Sequence, residues 1–236
     1  MKKWFIHISI LMVGVVSAQS QTLSLGIDAG FSMMQPTEYH RLIYLGNTWT
    51  YPGRFEEITD RGLDKGCRIS GKLHYTLNTK PLSIISGITY ARYSGKAGYY
   101  LATVPPWFST INTGSFQIKR EDLTFFLGGG YGFPSIREHP HVSLLGLLTR
   151  FGETKMEMTS SYNVKLDDPQ KIRGGVAVGA GLNLPIMPYF APTVEIKYLL
   201  VNLIGREQDE NLLSAFSLNL GICHDLFTHC VGGNTD

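Results

Sequence analysis

The histidine best placed for chemistry is His74, because it lies in a stretch of alternating apolar and polar residues with Thr76 two positions later. Asp28 and Glu195 hold similar positions in other stretches of the same kind. A hydroxyl, an imidazole and a carboxylate that converge can activate a nucleophile for acyl transfer. No serine–histidine motif specific to lipid-modifying acyl enzymes accompanies them. We therefore predict no catalytic residues, and a lipid-modifying enzyme is the alternative.

The C-terminal residues include ligand types suited to zinc, in Cys223-His224 and His229-Cys230. Their spacing matches no standard zinc finger or ribbon, so we predict no metal site and no cofactor. A disulfide between Cys223 and Cys230 suits an oxidising compartment, and idle thiols are the other interpretation. The glycines at 128–130 precede neither Lys-Ser/Thr nor a helix start, so they predict no phosphate loop.

These residues belong to eight stretches that alternate apolar with small or polar residues at a period of two, which no helix can produce. A membrane β-strand needs about 9–11 residues to cross the hydrocarbon layer, and the stretches are long enough. The sequence predicts an all-β fold: a closed, antiparallel, eight-stranded transmembrane β-barrel. Some β character at 41–51 leaves a count of ten strands open. The predicted strands are Thr22–Met34, Cys67–Lys80, Leu82–Tyr93, Phe116–Gly132, Val142–Phe151, Ile172–Leu184, Pro188–Val201 and Leu212–Cys223.

The N-terminus has the pattern of a secretory signal peptide. Lys2 and Lys3 precede an apolar run at 6–16, and Val16-Ser17-Ala18 resembles a cleavage site. We predict a signal peptide at 1–18, a barrel at 19–223 and a periplasmic tail at 224–236. The formal net charge is +2, and no basic stripe is interleaved with aromatic residues, so nucleic acid is excluded as a partner.

The composition of the less apolar face of the strands indicates whether that face lines the inside or the outside of the barrel. A soluble lipocalin-like carrier of an apolar ligand would have Lys and Glu on the outer wall of every strand, whereas here that face is mainly small residues. We therefore predict a polar interior filled by side chains. Its charges would pair as a structural network, because an unpaired buried charge is costly. The predicted network is Asp28, Lys72, His74, Glu195 and Lys197.

Connections between the strands alternate between long and short. The short ones are rich in proline and turn formers and are predicted to be periplasmic, whereas the long ones, at 35–66, 94–115, 152–171 and 202–211, would be extracellular. Aromatic residues in the first two long loops either bind a surface partner or pack as a lid over the barrel. The candidate binding residues are Trp49, Tyr51, Tyr99, Tyr100, Trp107 and Phe108.

Three segments resemble outer-membrane β-barrel proteins of the PorT-like kind, related in architecture to small OmpA/OmpX-type barrels. They are the glycine-studded strand at 23–30, the hairpin at 70–95 with its Leu-Asn-Thr-Lys-Pro-Leu turn, and Gly174–Leu182 leading into Val194–Tyr198. The resemblance implies a Gram-negative outer membrane and no catalytic residues, with membrane lipid, the barrel-assembly machinery and an unknown surface or secretion partner as contacts. One departure is that the chain does not end on an aromatic residue, because His224–Asp236 follow the last predicted strand.

Overall fold

The computed structural model describes residues 21–34, 53–59, 65–77, 81–103, 110–133, 136, 139–152, 155–157, 172–184, 186, 190–206 and 212–229. Every regular element in these ranges is a β-strand. The described residues contain no helix that is long and apolar enough to cross a membrane. The strands are β1 Gln21–Met34, β2 Gly53–Thr59, β3 Lys65–Leu77, β4 Leu82–Thr103, β5 Thr110–Gly132, β6 Pro140–Phe151, β7 Lys155–Glu157, β8 Ile172–Asn183, β9 Phe190–Ile204 and β10 Ser214–His229.

Eight of the strands form a closed antiparallel barrel. Its wall runs β1–β3–β4–β5–β6–β8–β9–β10, and β10 pairs back onto β1 from Gln21↔His229 to Met34↔Ala215. The predicted eight-stranded fold is confirmed. The other two strands lie outside this wall, since β2 pairs only with the far part of β4 and β7 only with the far part of β5.

The second long loop is shorter than predicted. The β4–β5 hairpin stays paired from Leu82↔Tyr131 to Thr103↔Thr110, so the segment assigned to a loop at 94–115 is mostly strand. Tyr99 and Tyr100 therefore belong to β4 rather than to a loop. Backbone pairing gives each amide a partner even where the side chains no longer alternate clearly, which explains the error. The other four candidate aromatics, Trp49, Tyr51, Trp107 and Phe108, lie outside the described residues.

Other strand boundaries also differ from the prediction. β10 continues to His229, six residues beyond the predicted end of the barrel at Cys223, because the first residues of β1 need hydrogen-bond partners there. Two additional strands lie within segments predicted to be long loops, Gly53–Thr59 in the first loop and Lys155–Glu157 in the third. The β character predicted at 41–51 falls outside the described residues, as do the predicted signal peptide and residues 230–236.

The connections place both ends of the described chain at one end of the barrel. At this short-turn end the amide of Gly132 donates to the carbonyl of Pro81 at 2.8 Å, and the amide of Phe133 donates to the carbonyl of Pro140 at 2.8 Å. A third bond of 2.8 Å joins the amide of Leu184 to the carbonyl of Pro192. The opposite, long-loop end holds the connections β1–β3, β4–β5, β6–β8 and β9–β10.

Period-two burial sorts the side chains between lumen and outer wall. β6 is the clearest case, because Ser143, Leu145 and Leu147 are buried while Val142, Leu144 and Leu148, which alternate with them, are exposed. Successive side chains of a strand point to opposite faces, so each barrel strand sends every second residue into the lumen.

Candidate functional site

Four charged side chains meet inside the barrel and are called here the lumen charge cluster: Asp28, Lys72, Glu195 and Lys197. Nζ of Lys72 lies 2.6 Å from Oδ2 of Asp28 and 2.5 Å from Oε2 of Glu195. Nζ of Lys197 lies 3.0 Å from the same Glu195 oxygen. Their exposed fractions are only 2–9%. Two cations and two anions thus neutralise one another where water is largely excluded.

The cluster draws on strands that are not neighbours. Lys72 is on β3 and Glu195 on β9, and β1 and β10 lie between these strands in the wall. The Lys72–Glu195 pair therefore crosses the lumen. Burying such charges costs several kcal/mol per ion unless each is paired, which the cluster achieves with short contacts.

Glycine leaves the space that the cluster occupies. Gly179 on β8 pairs with Lys197, and a Cβ added to this glycine would lie 2.6 Å from Oγ of Ser143 and 3.2 Å from Oε1 of Glu195. A side chain there would compete with Glu195 for the same volume. This close approach gives a physical reason for one of the glycines within the strands.

His74 lies on the short-turn side of the cluster, beside a small polar cavity. The cavity has a volume of about 20 Å³, room for a water molecule. Besides His74 it is lined by residues that include Asp28, Glu195, His141 and Cys223. The structure thus brings all five predicted network residues into one part of the lumen.

The lumen also holds charged groups outside the predicted network. Arg68 donates to Oγ of Ser217 at 3.1 Å and to Oγ1 of Thr89 at 3.2 Å, tying β3 to β10 and β4. Nearer the long-loop end, Nε of Arg120 donates to Oδ1 of Asp122 at 2.9 Å. Arg68 lies on the less apolar face of its strand, as the sequence pattern indicates, and the same period-two pattern could have placed Asp122 inward.

Aromatic and aliphatic side chains fill the space between these polar groups. Phe126 is 5% exposed, and Nζ of Lys197 lies 5.5 Å from the centroid of its ring. The guanidinium of Arg120 lies 4.3 Å from the ring centroid of Phe151. Buried side chains from every barrel strand meet in the lumen, one from each being Asp28, Lys72, Ile85, Phe126, Leu145, Ala177, Lys197 and Ser217.

The outer wall carries the opposite chemistry. Each barrel strand presents at least one large aliphatic side chain outward, and the exposed fractions of a set with one from each strand run from 40% at Ile88 to 62% at Leu144. This set is called here the apolar belt: Ile27, Ile69, Ile88, Leu127, Leu144, Val178, Ile196 and Leu218. Tyr90 and Tyr131, each 42% exposed, lie towards its two ends on β4 and β5.

The described residues include only some of those in the cysteine and metal predictions. Cys223 is half-buried beside the lumen cavity, but Cys230 lies outside the described residues, so the disulfide stays a prediction. Among the described side chains, no three His, Cys, Asp or Glu residues are grouped so that they could hold a metal ion.

The fold and site together define a class: a closed eight-stranded antiparallel β-barrel with a charged, filled lumen and an apolar outer wall. Its architecture is similar to that of Neisserial surface protein A, with 14% identity, 86% of this chain and 97% of that chain covered, and a TM-score of 0.46. OprG from Pseudomonas aeruginosa is similar at 12% identity, with coverage of 88% and 98% and a TM-score of 0.45. Ail of Yersinia pestis is similar at 11% identity, with coverage of 89% and 100% and a TM-score of 0.34.

No protein-family model matches the chain, and no curated protein sequence matches it. The resemblance to PorT-like barrels therefore stays a prediction.

Proposed function

We propose that the protein is an integral outer-membrane β-barrel of the PorT-like kind, with a side-chain-filled lumen and a structural or surface-interaction role carried by its long loops. The observation that carries the proposal is the apolar belt, to which all eight strands contribute, surrounding a lumen that holds paired charges. An apolar exterior and a polar interior are what a barrel in a bilayer requires.

The same observation argues against a soluble carrier. Isoleucine and leucine side chains around the whole circumference would form an exposed apolar surface far larger than soluble monomers tolerate. A lipocalin-like protein also needs an apolar cavity for its ligand. Here the middle of the lumen is occupied by Lys72, Glu195, Lys197 and Phe126, all at most 9% exposed.

Orientation follows from the lengths of the connections. Outer-membrane barrels place short turns in the periplasm and longer loops outside the cell. The short-turn end, with Gln21 and His229, would therefore face the periplasm, after export by the predicted signal peptide and insertion by the barrel-assembly machinery. The long-loop end would meet a surface or secretion partner.

A lipid-modifying enzyme is the second candidate function. The position of His74 argues against this function. An enzyme that acts laterally on membrane lipid needs its reactive groups within reach of the outer wall. His74 instead lines the lumen cavity together with Asp28 and Glu195. Replacing His74 with alanine should leave the lipid A of the cell unchanged, whereas loss of a lipid A modification would establish the enzyme.

The proposal is tested by detergent-gel migration together with protease treatment of intact cells. Protein extracted from outer membranes should run as a compact band that shifts on boiling, because heat opens the closed barrel. Protease added outside should cut only within the long connections. A soluble protein that shows no shift and is cut throughout would contradict the membrane assignment.

A further inference from the structure

Among the described residues, the outer wall changes character just above the apolar belt, on the side formed by β3 to β6. Four exposed basic residues, called here the basic patch, lie on β3, β4 and β6: Lys65, Arg92, Lys96 and Arg150. The side chain of Arg92 is 56% exposed. All four point outward, because residues of the same parity on these strands make up the outer wall.

Strand register brings the patch together at the long-loop end. Lys65 pairs with Ser94, midway between Arg92 and Lys96 on β4. Arg92 in turn pairs with Glu121 on β5, and Arg150 pairs with Leu123, two residues further along β5. Because the exposed Tyr90, two residues below Arg92 on β4, belongs to the outer wall, the patch lies at the upper edge of the apolar surface.

The patch has one acidic neighbour among the described side chains. Nε of Arg92 lies 3.9 Å from Oε1 of Glu121, whose side chain is 52% exposed. A single exposed carboxylate at this distance neutralises a small part of four positive charges. Counted over the described side chains, the patch therefore retains a net positive charge at the level where an outer-leaflet headgroup would lie.

Among the described residues, the opposite wall formed by β9 and β10 stays apolar up to its long-loop end. The exposed side chains there include Leu203 and Ile204 on β9 and Phe216 on β10, with exposed fractions of 44–74%. Arg206 follows only after β9 has ended. Within the described part of the chain, the basic patch is therefore not a ring to which every strand contributes.

We propose that the basic patch binds the phosphate groups of a glycolipid in the outer leaflet, an inference that rests on the proposed outer-membrane function. Arginine and lysine form charge-assisted hydrogen bonds with phosphate oxygens. The adjoining belt surface would hold the acyl chains of the same molecule, so headgroup and chains are engaged together. A lipid with anionic phosphates at the membrane surface matches both the charge and the height of the patch.

The test uses the full-length protein in phosphatidylcholine vesicles that contain either bisphosphorylated lipid A or lipid A stripped of its phosphates. Binding should require the phosphates. The variant K65Q/R92Q/K96Q/R150Q should bind bisphosphorylated lipid A about tenfold more weakly, given several exposed ionic contacts of modest strength. The matched control R206Q, which removes an exposed basic residue just after the end of β9, should bind as the native protein does.

A second variant should change lipid A binding in the opposite direction. Glu121→Gln removes the one carboxylate beside Arg92 and should therefore strengthen binding to bisphosphorylated lipid A. Equal binding to both lipids, or unchanged binding by the fourfold variant, would overturn the proposal. Samples of each variant from the same vesicles are run on detergent gels, with and without boiling, to follow the heat-modifiable migration. A barrel that stays heat-modifiable but binds both forms of lipid A equally contradicts only the glycolipid site. A protein that fails to insert into the vesicles contradicts the outer-membrane function itself.

Discussion

Lys72 and Glu195 are 123 positions apart in the chain, yet their charged atoms meet at 2.5 Å in the centre of the barrel. The pair joins β3 to β9 across the lumen, and Asp28 and Lys197 complete its neutralisation. A closed barrel makes this contact specific, because only the correct register turns all four side chains inward at one level.

Removing Lys72 should destabilise the barrel strongly. In Lys72→Met, Asp28 and Glu195 would share a single remaining cation, Lys197, and an uncompensated buried charge costs about 3–5 kcal/mol. Urea unfolding in lipid vesicles, followed by the loss of the heat-modifiable band, measures the change in the free energy of unfolding.

The double variant Lys72→Met/Asp28→Asn is the control for this effect. It leaves the neutral Glu195–Lys197 pair and should recover much of the lost stability, because the two sites interact directly. Equal instability of the single and double variants would mean that charge balance in the lumen is unimportant.

Gly179→Val should disturb the lumen charge cluster by crowding. The new side chain would press on Ser143 and Glu195, and overpacking of this kind costs about 1–3 kcal/mol. Gly71→Val is the matched comparison, since the Gly71 Cβ position has no atom within 4 Å. Urea midpoints that fall equally for both variants would show that backbone preference, rather than lumenal space, decides the effect.

A charge placed in the apolar belt should be costly only if the belt faces lipid. Leu144→Arg, at a side chain that is 62% exposed, should destabilise the inserted barrel by about 2–4 kcal/mol. Gln117→Arg, at an exposed position of β5 beyond the belt, should cost little. In an aqueous exterior both substitutions would be harmless, so equal stability in vesicles would contradict the lipid-facing assignment.

The filled lumen should not conduct ions. In planar lipid bilayers the purified protein should give no stable conductance steps, because Phe126, Lys197 and Glu195 occupy the middle of the barrel at 3–5% exposure. Regular single-channel steps from the native protein would contradict a closed lumen. Parallel recordings from an open porin would show that the bilayers are competent.

The sequence predicts the barrel wall well because period-two alternation is a local signal. The segment predicted as Val142–Phe151, for instance, is Pro140–Phe151 in the structure. The inward face could also be predicted from the sequence. Alternation along each strand is enough to assign Asp28, Lys72, Glu195 and Lys197 to the lumen. Which of them are in contact depends on strand register, which parity does not provide.

What the sequence did not predict depends on pairing between distant segments. β4 and β5 continue beyond the wall because they pair with each other and with β2 and β7, although alternation weakens there. Arg173, 0% exposed, shares the inward parity of Ala177, but its neighbours on β9 depend on a register shift between β8 and β9 that parity does not provide.

The most direct test of the account is a spin-label scan of 142–149 on β6 in lipid bilayers, with the native cysteines replaced by serine. Collision with oxygen, which dissolves in lipid, should oscillate with a period of two. The even-numbered positions, including Leu144 and Leu148, should be accessible, whereas Ser143, Leu145 and Leu147 should be protected from both oxygen and a water-soluble nickel complex. Even-numbered positions exposed to the nickel complex instead of to lipid would contradict a membrane barrel with a filled lumen.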